Sequence, residues 1–304
     1  MEIIYKKLIF EIADAPTPSC HASSIEIYKG NLYAVWFGGT KEGADDVAIW
    51  LSLMKDDKWS VPVRMSQSHG IPHWNPVLFA LDKRLFLYYK KGKTIPKWQT
   101  VYRVLENGVW SDEAELVPGD HGGRGPVKNK PVQLRNGLIV AGASVEGTDW
   151  KAFIDASTDG ITWHAQEFIE ADVNLIQPTI WETDYGIHAL MRSNTGRAYR
   201  SDFDGKNWSK ACKTNLPNNN SGLDAVCING HLYAVYNPIG ENWGARTPLV
   251  ISKSEDNGTT WSETLTLEDT AGEFSYPSVI EADDFLHVVY TYNRKSVMYT
   301  RIYV

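Results

Sequence analysis

Three short stretches concentrate side chains able to hold a polar ligand. His73-Trp74-Asn75-Pro76 offers a ring to stack on a sugar, with an imidazole and an amide to hydrogen-bond it. Arg124-Gly-Pro-Val-Lys128-Asn129-Lys130-Pro gathers three cations in a chain of net charge −7, which points to an anionic ligand. Asn218-Asn-Asn-Ser-Gly-Leu-Asp224 is a polar turn ending in a carboxylate. Each is also ordinary turn chemistry. Dinucleotide, nucleotide and zinc-protease chemistry find no support: GxGxxG, P-loop and HExxH patterns are absent, so neither cofactor nor metal is expected.

Composition narrows the partners. The net negative charge argues against nucleic acid and anionic membranes. No apolar run approaches the roughly 18 residues of a spanning helix. Met1–Phe10 alternates apolar and polar residues and lacks a signal peptide's apolar core, so the chain reads as cytoplasmic. Cys20, Cys212 and Cys227 are odd in number and form no CxxC, which fits reduced thiols. Twelve tryptophans and fifteen tyrosines favour sheet over helix bundle.

A repeat supplies the elements that must position these groups. A turn followed by an apolar β run recurs at Leu32, Leu85, Leu138, Ile187, Leu232 and Leu286, spaced 53, 53, 49, 45 and 54 residues. A second marker follows the first five: Trp59, Trp110, Trp163, Trp208 and Trp261, spaced 51, 53, 45 and 53. A period of about 50 residues suits one four-stranded blade, so six anchors predict an all-β, six-bladed β-propeller. Ser296–Tyr303 and Ile3–Ile12 both read as strands, and the N-terminal one is expected to close the last blade. No linker divides residues 1–304, so one domain is expected.

The tryptophan marker sits in a turn of its own. Ser254-Glu-Asp256-Asn-Gly258-Thr-Thr260-Trp261 is complete, Ser157-Thr-Asp159-Gly160-Ile-Thr162-Trp163 is one residue shorter, and Ser201–Trp208 is a looser copy. Asp and Ser can bond turn amides, Gly takes φ > 0, and Trp packs between blades. This turn resembles the Asp-box of the sialidase superfamily, whose propeller has six such blades.

The resemblance implies three arginines on a sugar carboxylate, a Tyr nucleophile activated by a Glu, and an Asp acid/base. Ala189-Leu-Met-Arg192-Ser matches the setting of the second arginine, and Asn242-Trp-Gly-Ala-Arg246-Thr-Pro-Leu that of the third. Gly272-Glu-Phe-Ser-Tyr276-Pro-Ser-Val matches the tyrosine. In the loop after the first strand anchor, Glu42 falls nearest the acid/base place, with Asp45 and Asp46 as competitors. Two departures mark a divergent member lacking the full arginine triad. His21 stands in the first arginine's place, and Asn174-Leu-Ile precedes Gln177 where the activating Glu belongs.

The resulting expectation is an exo-acting glycoside hydrolase for a sialic acid or another acidic sugar of a glycan. Tyr276 is the nucleophile, Glu42 the acid/base, and Arg192 and Arg246 the anion clamp. Glu273 or Asp224 could serve Tyr276 as base. His73, Trp74, Asn75, Arg124, Lys128 and Gln177 complete the contacts. His21 titrates near neutrality, which leaves open a His-based glycosidase or lyase acting beside a uronic acid. A carbohydrate-binding propeller without catalysis is the third reading.

Overall fold

The computed structural model describes residues 1–304. Each expected anchor lies in or immediately before the second strand of a blade. Those strands are Asn31–Gly39, Arg84–Lys91, Ile139–Glu146, Gly186–Ser193, His231–Tyr236 and Phe285–Tyr292. The six antiparallel sheets form a six-bladed β-propeller. Five innermost strands are Ser19–Tyr28, His73–Leu81, Leu175–Thr183, Asp224–Ile228 and Phe274–Ala282; the third blade's is only Val132–Gln133. Two three-residue 3-10 turns are the only helical segments, and no helix is long and apolar enough to cross a membrane.

Blade 6 is completed by the N-terminus. Glu2–Leu8 pairs with Ser296–Tyr303, Glu2 opposite Tyr303 and Leu8 opposite Met298. The strand stops short of the expected Ile12 because Ile12–Asp14 folds into a 3-10 turn, while Ile9 and Phe10 turn inward against Trp36.

The marker turns hold as their residue types dictate. Ser254 Oγ accepts from Gly258 N at 2.8 Å, and Asp256 Oδ1 accepts from Thr260 N at 2.8 Å. Those bonds from Thr260 hold the Asp256 carboxyl down at about 2. Gly258 sits at φ 84°, and Trp261 Nε1 donates to its carbonyl at 3.0 Å. Trp261 then packs with Trp181 and Leu190 of the preceding blade. This placement generalises. Six large apolar clusters each straddle one boundary between neighbouring blades, from blades 1 and 2 round to blades 6 and 1.

Two buried polar staples tie the inner strands across the axis. Asp224 is fully buried and accepts from Thr179 Oγ1, Val279 N and Lys130 Nζ, which joins blades 3 to 6. Lys128 donates to Asn129 Oδ1 at 2.9 Å, to Leu223 O at 3.1 Å and to the Pro277 carbonyl. One lysine thereby links blades 3, 5 and 6.

Candidate functional site

Four of the six innermost strands share one irregularity near their N-terminal ends, the end called the funnel below. Register shifts fall between His21 and Ser24, Trp74 and Val77, Ile176 and Thr179, and Ser275 and Ser278. Within each shift one residue is left-handed: Ala22 (φ 54°), Asn75 (φ 40°), Gln177 (φ 56°) and Tyr276 (φ 52°). A non-glycine residue in this region costs about 1–2 kcal/mol. Bulges of this kind re-aim side chains, and here they do so around one axis.

Tyr276 and Arg192 meet at the centre. Arg192 is 2% exposed; its Nη1 donates to Tyr276 Oη at 2.7 Å and to Gln177 Oε1 at 3.1 Å. Its Nε donates to Asn220 Oδ1 at 3.0 Å, and Asn220 in turn donates to Asn242 Oδ1. Gln177 Nε2 reaches Glu146 Oε1 at 3.1 Å. Burial raises the Glu146 carboxyl above its ordinary value, against the pull of Arg192 and hydrogen bonds from Gln177 and Ser144.

The other side of the Tyr276 ring carries a second charged chain. Arg246 lies 5.5 Å and Arg192 5.6 Å from the ring centroid, and the His21 ring 4.3 Å. Arg246 Nη1 donates to Glu273 Oε1 at 2.8 Å, and Arg294 Nε to the same oxygen at 2.8 Å. Arg294 Nη1 continues to Glu42 Oε2 at 2.5 Å. Two chains of charge therefore meet at Tyr276: Glu146–Gln177–Arg192, and Arg246–Glu273–Arg294–Glu42.

His21 does not fit the acid/base role that its titration range suggested. It is 1% exposed, and burial, then Arg294, Arg246 and Arg192, hold its pKa well below the ordinary value. Arg246 can only donate to Nε2 (3.4 Å), so Nδ1 carries the proton and bonds Thr291 Oγ1 at 2.9 Å. A neutral imidazole with both nitrogens engaged positions Tyr276.

The funnel brings together His21, Gln177, Arg192, Arg246 and Tyr276, with Glu42 joined through Arg294. Other expected contacts lie elsewhere. Arg124 is a correction: it pairs with buried Asp155 at 2.7 Å and caps the Trp163 carbonyl, so its charge is taken. Lys128 and Asp224 are corrections too, since both are the buried staples described above. Asp46 closes the Thr40 turn, and Asp45 pairs with Lys93 on the rim. His73 is buried against Ser66, and Trp74 donates to the Gly92 carbonyl under the Gly43 loop. Asn75 stays on the axis-facing bulge.

Sequence reasoning missed Glu146 and Arg294. Glu146 ends the second strand of blade 3, the same end that carries Arg192 in blade 4. Arg294 sits in the hairpin after the second strand of blade 6. The residue that ends each second strand is a signal that finds Glu146, and extending it into the following hairpin finds Arg294.

The family model described as BNR repeat-like domain matches residues 30–288, so the chain belongs to that family. A search of curated proteins returns no match. Among solved structures, a protein of unknown function from Dyadobacter fermentans is similar at TM-score 0.81 and 13% identity, over 99% of this chain and 98% of that one. Penicillium chrysogenum α-L-arabinanase, complexed with arabinobiose, is similar at TM-score 0.73 and 14% identity, over 99% and 98%. Trypanosoma rangeli sialidase, in complex with sialic acid, is similar at TM-score 0.73 and 16% identity, over 94% of this chain. This chain spans about half of the trypanosome enzyme, 54%. At such identities the likeness is one of fold.

Proposed function

We propose that this BNR repeat-like propeller is a glycoside hydrolase acting on a sialic acid or another acidic sugar at the end of a glycan. The carrying observation is Tyr276 Oη, held by Arg192 at 2.7 Å with two guanidinium groups beside its ring. In this reading the Tyr276 hydroxyl gives its proton to water as Oη attacks the anomeric carbon and the glycosidic C–O bond breaks, while a carboxyl protonates the leaving oxygen. A water molecule then attacks the same carbon and gives its proton to that carboxylate, and the C–O bond to Tyr276 breaks and its oxygen is reprotonated from solvent. Arg192, Arg246 and Arg294 take the sugar's carboxylate, exchanging contacts with their present partners.

Two carboxyls can give the proton. Glu42 stands at the rim but is tied to Arg294. Glu146 is the one that burial raises, as a proton donor near neutrality requires, and this favours it.

A specific observation favours a second reading. No carboxylate contacts Tyr276 Oη, whose hydrogen-bond partner is Arg192. Tyr276 could instead take the proton from the carbon beside a uronate carboxylate and return it to the leaving oxygen, as the C–O bond breaks and a C=C bond forms. One screen of purified protein separates these readings, using chromogenic sialosides, glucuronides and rhamnosides, with Tyr276→Phe as control. Release of the free sugar, lost in the variant, supports hydrolysis. An ultraviolet-absorbing unsaturated uronate supports elimination. Saturable sugar binding with no product overturns both.

A further inference from the structure

A second charged groove lies outside the funnel, where blade 1 meets blade 2. A cavity of about 340 Å³ is walled by Arg64, Ser66, His69, Lys91, Arg103 and Glu113. A neighbouring cavity of about 240 Å³ shares Lys91 and Glu113 and adds Lys93 and Lys97. Together the two cavities carry five cations, Arg64, Lys91, Lys93, Lys97 and Arg103, against three carboxylates, Asp112, Glu113 and Glu115, in a chain of net charge −7.

The manner of holding these cations matters more than their number. Lys91 pairs with Glu113 and Lys93 with Asp45. Backbone carbonyls hold the two arginines instead. Arg64 Nε donates to Ser66 O at 3.0 Å, and Arg103 donates to Ser111 O at 2.8 Å and Met65 O at 2.6 Å. A carbonyl fixes a guanidinium without cancelling its charge, so both present preorganised positive charge. Lys97 makes no ion pair.

A buried histidine backs Ser66 of the groove. His73 is fully buried, and burial pulls it down to about 4, so it is neutral. Ser66 Oγ accepts from Ile49 N at 2.9 Å and shares a hydrogen bond with His73 Nδ1 at 2.7 Å. His73 Nε2 has no partner.

The groove and the funnel share a loop. Asp45 meets Lys93 on the groove side, and Glu42, three residues earlier, meets Arg294 in the funnel. We propose that this groove binds the carboxylate or sulfate-ester groups of a polyanionic glycan whose terminal sugar enters the funnel. The second half of that statement rests on the glycosidase reading; the groove's affinity for polyanions does not.

Titration calorimetry on full-length Tyr276→Phe protein tests it, with oligogalacturonate and chondroitin sulfate oligosaccharides as probes and maltooligosaccharide as the neutral control. Binding of at least one polyanion, weakening with salt, is expected. Its affinity should fall about tenfold on adding Arg64→Gln and Lys97→Gln, two substitutions at exposed side chains. The probe that binds identifies the group. Unchanged affinity in that variant, equal affinity for the neutral chain, or no binding of either polyanion overturns the proposal. The same two substitutions in otherwise unaltered protein should leave turnover of a small chromogenic glycoside unchanged. Absent turnover with intact groove binding would sink the glycosidase reading alone.

Discussion

Replacing Lys128 with Met sets two physical effects against each other. Its ammonium has three hydrogens and three acceptors, on Asn129, Leu223 and Pro277, which favours the charged form. Burial disfavours that form and pulls Lys128 down to about 7. An unfolded lysine titrates near pH 10.4, so between about pH 7 and pH 10 the unfolded chain binds a proton that the folded chain lacks. Unfolding free energy then rises with pH, by about 1.4 kcal/mol per unit and roughly 4 kcal/mol across that window. Below the folded pKa the contribution is flat and at its least favourable. Urea unfolding, followed by tryptophan fluorescence from about pH 6 to pH 10, measures this in wild type and in Lys128→Met. Lys90, also pulled to about 7, is present in both and cancels in the difference. The stability of wild type relative to the variant should climb with pH. A flat difference refutes the reasoning and means that the three acceptors keep Lys128 charged.

The other predictions concern the funnel and its supports. Tyr276→Phe should lower kcat/KM at least about a thousandfold without moving the unfolding midpoint. Gly222→Ala puts a methyl 3.0 Å from Lys128 Cε and 3.1 Å from Tyr276 Cγ. It should displace the ring and cut kcat about tenfold, with at most about 1–3 kcal/mol of destabilisation. Glu146→Gln should abolish turnover of poor leaving groups but spare activated aryl glycosides, and Glu42→Gln should not show this split. Asp224→Ala leaves Lys130 nearly buried and unpaired, and should cost about 3–5 kcal/mol in denaturant unfolding.

The ring was legible because its signals are local. A tight turn, an apolar run and a tryptophan recur at the spacing of one blade, and each of the six anchors marks a second strand. The third blade's innermost strand was not legible, since only Val132–Gln133 keeps ladder geometry between Lys130-Pro131 and the turn. Of the funnel, Tyr276, Arg192 and Arg246 were found through a resemblance at the scale of single motifs. What escaped was how charges are partnered. Arg294 meets Glu42 across 252 positions, which no local pattern encodes. The opposite error befell Lys128: a basic stretch in an acidic chain suggested an anion, yet its protons go to protein acceptors. Sequence supplies the charge of a side chain, and only the fold says whether that charge is spare.

The six apolar clusters, each shared by two neighbours, make the ring unlike a linear stack of repeats. A linear stack has terminal units and can lengthen or shorten by one. Here removing a blade would strip half of two clusters and leave the remaining faces at the wrong angle to meet. Blade number is therefore fixed by closure, and unfolding should be a single cooperative event rather than fraying from an end. Variation is pushed to the hairpins and loops at the two faces, where chain can be added without touching any shared cluster. The segment bearing Glu42 and Asp45, between the second and third strands of blade 1, is such a place: it can change what the funnel and the rim groove accept while the ring beneath stays the same.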